Sequence, residues 1–280
     1  MNLKKGLNVY SNLSTIADQL SINNGTVEAI DIAGLNYEDG AHIPQKGWRS
    51  LNARERKLLI AKASDVHYSK SLYVGEIPTK LKHLLQSLGL DQCTHPDQVF
   101  PKFEENETLV KKVTKELNGF LRHLSSNQDY KFHRITRAMP NRETITCHYV
   151  DEAFIYIGLH IDQSKHFTIH SAYKSGNRIS INLSKETRTL AFINLTLIQV
   201  FNMLKEKIDT HKTIVDPDNI AQLFFKYYPN YPTTKVALKP YQYYVAPTDN
   251  FLHDASTVGN KEIDITLVYT GLFDMPKIFD

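Results

Sequence analysis

Phe154-Ile-Tyr-Ile-Gly-Leu-His-Ile-Asp162 decides how this chain is read. Its first five residues have the β-branched and aromatic character of a strand. A histidine and a carboxylate two positions apart at a strand end point to the same side. The spacing therefore predicts that His160 and Asp162 face one site while Ile161 turns into the core. A second histidine from a distant strand would complete a facial set of two histidines and one carboxylate. Such a set leaves positions open on Fe(II) for a cosubstrate and O₂. His253 lies 91 residues after Asp162, beyond the strand-like run that starts at Tyr243, and is the candidate third ligand. His148, His166, His170 and His211 compete for that place. A His-x-Asp match alone is weakly specific in a chain with 12 histidines, and a second one, His95-Pro-Asp97, falls in a proline-containing loop.

Further strand-like runs flank this stretch, at residues 144–150, 167–170, 178–183, 189–195, 235–238, 242–245 and 263–269. Turn residues such as Lys174-Ser-Gly-Asn177 separate several of them. About eight short strands with little helix between them predict a double-stranded β-helix, a jelly-roll or cupin-like core, over residues 129–280. Two helices, within about 197–227, are expected as insertions. Residues 1–128 read as mainly helical. The amphipathic segments are 51–63, 78–88 (closed by Gly89 as a C-cap) and 105–124. The two parts are expected to form one domain, 1–280, with the helices covering a sheet.

Composition excludes several classes of function. The chain has 280 residues, 41% of them hydrophobic, enough for a sizeable core. The net charge of +3 is spread along the chain, so no nucleic-acid or other polyanion partner is expected. Cys93 and Cys147 alone make neither a disulfide framework nor a zinc ribbon. No stretch approaches the ~18 apolar residues of a membrane span. The expectation is a soluble cytoplasmic protein with a small-molecule substrate, its oligomeric state open, a homodimer included.

Tyr244-Val-Ala-Pro-Thr-Asp-Asn-Phe-Leu-His-Asp-Ala-Ser-Thr257 resembles the distal-histidine segment of a family of Fe(II)/2-oxoglutarate enzymes. That family includes radical halogenases and hydroxylases of free amino acids such as lysine. Asn177-Arg-Ile-Ser-Ile-Asn-Leu-Ser-Lys-Glu-Thr-Arg188 and Tyr228-Pro-Asn-Tyr-Pro232 resemble other segments of it, in the same order. The resemblance covers roughly residues 140–272. It implies iron bound by His160, Asp162 and His253, with 2-oxoglutarate and O₂ as cosubstrates. In the halogenating members the carboxylate position is glycine and chloride takes the vacancy. Here Asp162 fills it, so hydroxylation is the expected outcome.

A 2-oxoglutarate enzyme needs a cation for the distal carboxylate of the cosubstrate, and arginine matches a carboxylate bidentately. Relatives of the broad fold place that arginine after the distal histidine, but no arginine follows Arg188 in this chain. Arg178, on a strand face shared with Ser180 and Asn182, and Arg188, at the next strand's start, are the candidates. Lys261 is the basic residue left in the usual window. The resemblance places Gln163 where lysine-acting members have an acidic residue, and Glu143 and Thr270 at substrate-pocket positions. The expected activity is hydroxylation of a C–H bond in a small substrate, a free amino acid or derivative. The rival readings are a cupin-like metal enzyme that does not use 2-oxoglutarate and a non-catalytic jelly-roll binding module.

Overall fold

A computed structural model describes residues 1–14, 16–30 and 34–275. Two sheets pack face to face. Across the six-stranded sheet run β1 (Asn8–Ser11), β7 (Ser71–Glu76), β14 (Gln242–Ala246), β11 (Asn177–Asn182), β16 (Asp264–Gly271) and β8 (Tyr130–Ala138). Across the five-stranded sheet run β15 (His253–Ser256), β12 (Arg188–Phe192), β13 (Thr234–Leu238), β2 (Leu20–Ile22) and β6 (Arg49–Ser50). All neighbours are antiparallel except β1 and β7. From β11 onward the chain passes back and forth between the sheets. Two small sheets complete the strands: β4 (Asn36–Tyr37), β10 (Ala153–Tyr156) and β9 (Cys147–Val150), and the hairpin of β3 (Thr26–Glu28) with β5 (His42–Pro44).

Alternation along the strands sorts the side chains into layers. On β11, Ile179 and Ile181 face outward with Tyr243, Val245, Ile265 and Leu267 of the neighbouring strands. Helices α3 (Thr79–Gln86) and α5 (Glu107–Leu124) cover them. Leu81 and Leu85 of α3, and Val113, Leu117 and Leu121 of α5, recur every four residues and form the buried stripe. Each fully buried side chain of this size contributes about 1.5–3 kcal/mol. The other sheet is covered by α6 (Leu197–Leu204) and α7 (Ile220–Tyr227), through Val200, Leu204, Phe224 and Phe225. Between the sheets, one end is apolar, with Leu72, Val74, Leu190, Phe192 and Val236. The other end is polar and holds the site described below.

The N-terminal part differs from the expected helical layer. Residues 79–124 supply α3, α4 (Val99–Glu104) and α5, but seven strands precede them. The short α1 (Ile16–Gln19) and α2 (Ala53–Leu59) lie among those strands. Ser71-Leu-Tyr-Val-Gly-Glu76 is buried on both faces through its first five residues, so it shows no alternation. A short apolar run of that kind does not distinguish strand from helix. Helix α2 is shorter than the apolar pattern at 51–63: Asn52 caps its start, and after Leu59 the chain turns extended at Ile60, with Ala61 N donating to Val9 O at 2.8 Å. Asn52 Oδ1 accepts from Glu55 N at 2.9 Å and Glu55 Oε2 accepts from Asn52 N at 2.9 Å. Residues 167–170 form no strand, since Phe167 and Ile169 instead pack into the α6–α7 cluster. Among the described residues no helix is long and apolar enough to cross a membrane.

Candidate metal centre

Strand β10 leads toward the site and Gly158 redirects the chain there. Gly158 has φ +70°, where a side chain is strained, and a Cβ at this position would lie 2.5 Å from the His42 carbonyl oxygen. That same oxygen accepts from Leu159 N at 2.8 Å. The next residue, His160, pairs with His253 as an isolated antiparallel bridge. His160 N donates to His253 O at 3.0 Å, and His253 N donates to His160 O at 2.7 Å. Residues directly opposite in such a pair project to the same side, and the two rings lie 5.2 Å apart. His253 opens β15 and is held from its other side by Phe192 of β12. Ile161 is buried in the α6–α7 cluster, so the alternation returns Asp162 to the site. Asp162 N donates to Thr248 O at 3.1 Å.

One donor atom from each of His160, Asp162 and His253 lies within 4.8 Å of the others. His160 Nε2 stands 3.9 Å from Asp162 Oδ1, and His253 Nε2 stands 3.6 Å from Asp162 Oδ2. Metal–ligand bonds of ~2.1 Å at right angles put donors roughly 3 Å apart, so each of these two pairs would have to close by less than about 1 Å, and the two imidazole donors start within 4.8 Å of each other. Both rings have their tautomer set from behind. His160 Nδ1 lies 2.9 Å from Gly158 O and His253 Nδ1 lies 3.2 Å from Phe251 O. A carbonyl oxygen only accepts, so each Nδ1 carries the proton and each Nε2 keeps its lone pair for an ion. Asp162 Oδ2 is shielded from solvent and has no hydrogen-bond partner. A buried carboxylate oxygen without a hydrogen bond, beside two imidazole lone pairs, is a donor set that fits a divalent ion.

The electrostatics agree with that reading. Burial pushes the His253 imidazole down to about 4, which keeps it neutral and ligand-ready at ordinary pH. Burial alone would raise the Asp162 carboxyl. The Arg178 guanidinium, followed by the two histidines, overrides it and holds the group well below the usual carboxylate range. Arg178 Nη2 is 2.9 Å from Asp162 Oδ2, close enough for a strong ion pair but off the hydrogen-bonding direction. Arg178 Nη2 also donates to Ser164 Oγ at 3.3 Å. Asp254, buried behind His160, accepts from Thr146 Oγ1 at 2.8 Å and holds Oδ2 4.0 Å from His160 Nδ1.

The triad opens into a cleft between the two sheets, and both candidate arginines line it. Arg188 is buried on β12, with Nε 3.5 Å from Asp264 Oδ1 and Nη1 donating to Thr266 Oγ1. Its Nε has no hydrogen-bond partner. Tyr244, Ser180, Arg134 and Thr136 line the same cleft. The other sequence candidates are not brought there. Gln163 is exposed, donates to Asp218 Oδ1 at 2.7 Å, and lines with His160 a second pocket on another side of the triad. Thr270 lines a separate pocket with Lys165 and Asp249. Glu143 is half-buried and outside the lining of the cleft. The competing histidines stand outside the triad cluster, although His148 and His160 line one neighbouring pocket. His148 faces Glu38 at 3.5 Å, His170 packs on Phe201, and His166 and His211 are exposed. Sequence reading missed Arg134, Thr136 and Asp254. Only Asp254 carried a signal, through its place next to His253.

No family model matches the chain, and neither does any curated protein. Among solved structures, those of the Kdo hydroxylase KdoO, a non-heme Fe(II) alphaketoglutarate-dependent dioxygenase, are distantly similar. The apo, cobalt(II) and alphaketoglutarate–Fe(III) forms each give a TM-score of 0.37 at 14% identity, over 75% of this chain and 82% of theirs.

Proposed function

We propose that this chain is an Fe(II)- and 2-oxoglutarate-dependent dioxygenase that hydroxylates a C–H bond of a small substrate, a free amino acid or derivative. The two facing sheets, crossed repeatedly from β11 to β16, are then the double-stranded β-helix of such enzymes. One observation carries the reading. Two imidazole lone pairs and a buried carboxylate oxygen without a hydrogen bond converge at the mouth of a cleft whose inner wall holds a buried arginine.

Bound iron with 2-oxoglutarate supplies the oxidising chemistry, in which one oxygen atom of O₂ enters the substrate and the cosubstrate leaves as succinate and CO₂. The protein's part is placement. His160, Asp162 and His253 hold one face of the ion. Arg178 keeps Asp162 ionised and oriented, and so close to a ligand it is ill placed to receive the far end of a five-carbon diacid. Arg188 is the better anchor for that distal carboxylate. It lies four residues along β12 from Phe192, the register partner of His253. Four residues of strand span roughly 13 Å. A long arginine side chain and a metal-bound diacid reaching toward each other can bridge that span. Lys261 is in a polar turn, its backbone N bonded to Glu186, and is not part of the cleft lining. The sheets themselves shield the site from water, which strengthens each of these ionic contacts.

The test is anaerobic titration of the metal-free protein with Fe(II) and 2-oxoglutarate, followed by O₂ and measurement of succinate. The expected results are a visible charge-transfer absorption that needs both components, and succinate release stimulated by the right amino acid. Iron binding without succinate would leave a metal enzyme of another kind. No iron binding would leave a binding module with structural histidines.

A further inference from the structure

The cleft beside the triad holds three arginines, and they are not equivalent. Arg178 and Arg188 are buried, each with a carboxylate within 4.0 Å. Arg134 lies at the solvent-facing side of the same cleft and is exposed. Among the described residues no carboxylate lies within ion-pair distance of its guanidinium and no side-chain hydrogen bond fixes it. A long cation that faces a binding cleft without a partner is available to a ligand.

The backbone explains why it faces that way. Strand β8 is the outer strand of the six-stranded sheet, paired along β16. The pairing runs Thr266 with Thr136 and Val268 with Arg134, then slips. Tyr269 is opposite Phe132, and His133 is the extra residue. Without this bulge, Phe132 would share the inward side with Arg134 and Thr136. With it, Phe132 turns outward and packs edge-on against Tyr269, ring centroids 5.6 Å apart. The bulge therefore separates an apolar outward residue from a cationic inward one. Bulges commonly re-aim side chains next to active sites.

We propose that Arg134 binds the carboxylate of the organic substrate, so that the substrate is a small carboxylic acid held at the mouth of the cleft by a charge-assisted pair. This inference rests on the oxygenase reading above and narrows it. Arg188, at the inner wall, takes the cosubstrate; Arg134, at the outer wall, takes the compound to be oxidised. The two anionic molecules are thereby kept in separate places, with the metal ligands between the sheets that carry them. Thr136 offers a hydroxyl in the same cleft, and Ile145 and Val268 offer apolar surface for the carbon skeleton. Arg134 is thus a specificity-determining residue with no part in bond making.

The experiment uses the iron- and 2-oxoglutarate-loaded enzyme. Succinate release is measured with a panel of free amino acids, hydroxy acids and sugar acids, each beside its carboxamide, in wild type, Arg134→Gln and Arg134→Lys. Anaerobic charge-transfer absorption reports loading separately. The expected result is stimulation by an acid and little by its amide. In Arg134→Gln the KM for that acid should rise about tenfold or more, the loss of one charge-assisted contact. Arg134→Lys should recover part of it, and the acid–amide preference should shrink in Arg134→Gln. Normal loading with an unchanged KM in Arg134→Gln would overturn the assignment and leave the oxygenase reading standing. So would equal stimulation by acids and amides, or stimulation by no acid of the panel. Failure of the wild type to load iron would overturn both.

Discussion

Replacing Arg178 with methionine removes the cation that faces Asp162 and keeps most of the side-chain volume. The two side chains are 11% and 14% exposed and stand 2.9 Å apart. Breaking a buried pair by removing one partner costs about 3–5 kcal/mol, because the remaining charge is left uncompensated. The residual exposure favours the lower end, about 3 kcal/mol. For a domain of this size each kcal/mol moves the midpoint by roughly 2–4 °C, so the metal-free variant should melt about 6–12 °C below wild type. A divalent ion on the triad replaces the missing positive charge. Saturating Mn(II) should therefore raise the melting point of Arg178→Met more than that of wild type. The assay is thermal unfolding followed by circular dichroism, with and without metal, across wild type, Arg178→Met, Asp162→Asn and the double variant. The double variant should be more stable than the sum of the single effects allows, a coupling of at least about 1 kcal/mol. A metal-free Arg178→Met that melts within about 1 °C of wild type, with an additive cycle, would refute the argument that this ion pair organises the site.

Three more outcomes follow from the same geometry. His160→Ala, Asp162→Ala and His253→Ala should each lose Fe(II) binding in anaerobic titration while retaining the circular dichroism of the folded protein; a His253→Ala variant with normal affinity would move the third ligand to another histidine. Arg188→Met should raise the 2-oxoglutarate concentration needed for half-maximal succinate release at least about tenfold, from the loss of a charge-assisted contact of roughly 1.5–3 kcal/mol. Arg188→Lys, which keeps the charge beside buried Asp264, guards against misfolding as the cause, and unchanged dependence in both would point away from Arg188. In excess chloride, product mass from wild type should show a gain of oxygen and no chlorine, because Asp162 fills the position a halide would need; a chlorinated main product would remove Asp162 from the ligand set.

The central strands were legible because their side chains alternate between helix-facing aliphatics and cleft-facing polar groups, as in Arg178-Ile-Ser-Ile-Asn182. The pairing of His160 with Asp162 was legible for the same reason, with Ile161 buried between them. Other strands hid their character. Tyr130-Lys-Phe-His-Arg-Ile-Thr-Arg-Ala138 is an outer strand carrying four basic or imidazole side chains, the usual protection of an exposed edge, and its bulge breaks the alternation. His253-Asp-Ala-Ser256 has no apolar rhythm because a histidine of the triad and the carboxylate behind His160 occupy it. Phe167 and Ile169 looked like strand residues, yet a helical cluster buries them just as well. Glu143, Gln163 and Thr270 were placed by likeness of position; of these Gln163 shares a pocket with His160, while Thr270 lines a different one and Glu143 lies outside the cleft lining. Arg178 and Arg188 could not be told apart in the sequence, since both are buried on strands that line one cleft.

The first strands of the chain have a consequence for dissecting it. Strands β7 and β1 lie against β14, and β2 and β6 lie against β13. Every residue of β14 is buried, and β13 is buried at alternate positions. A fragment that begins at residue 129 would keep all three residues of the triad and both buried arginines, yet it would bare one margin of each sheet at the same time. Two unpaired, largely apolar margins are templates for pairing with other chains. Such a fragment should precipitate or form intermolecular sheet where the full chain does not. The N-terminal segment thus works as selvedge on both sheets, and the two-sheet core cannot be cut free of it.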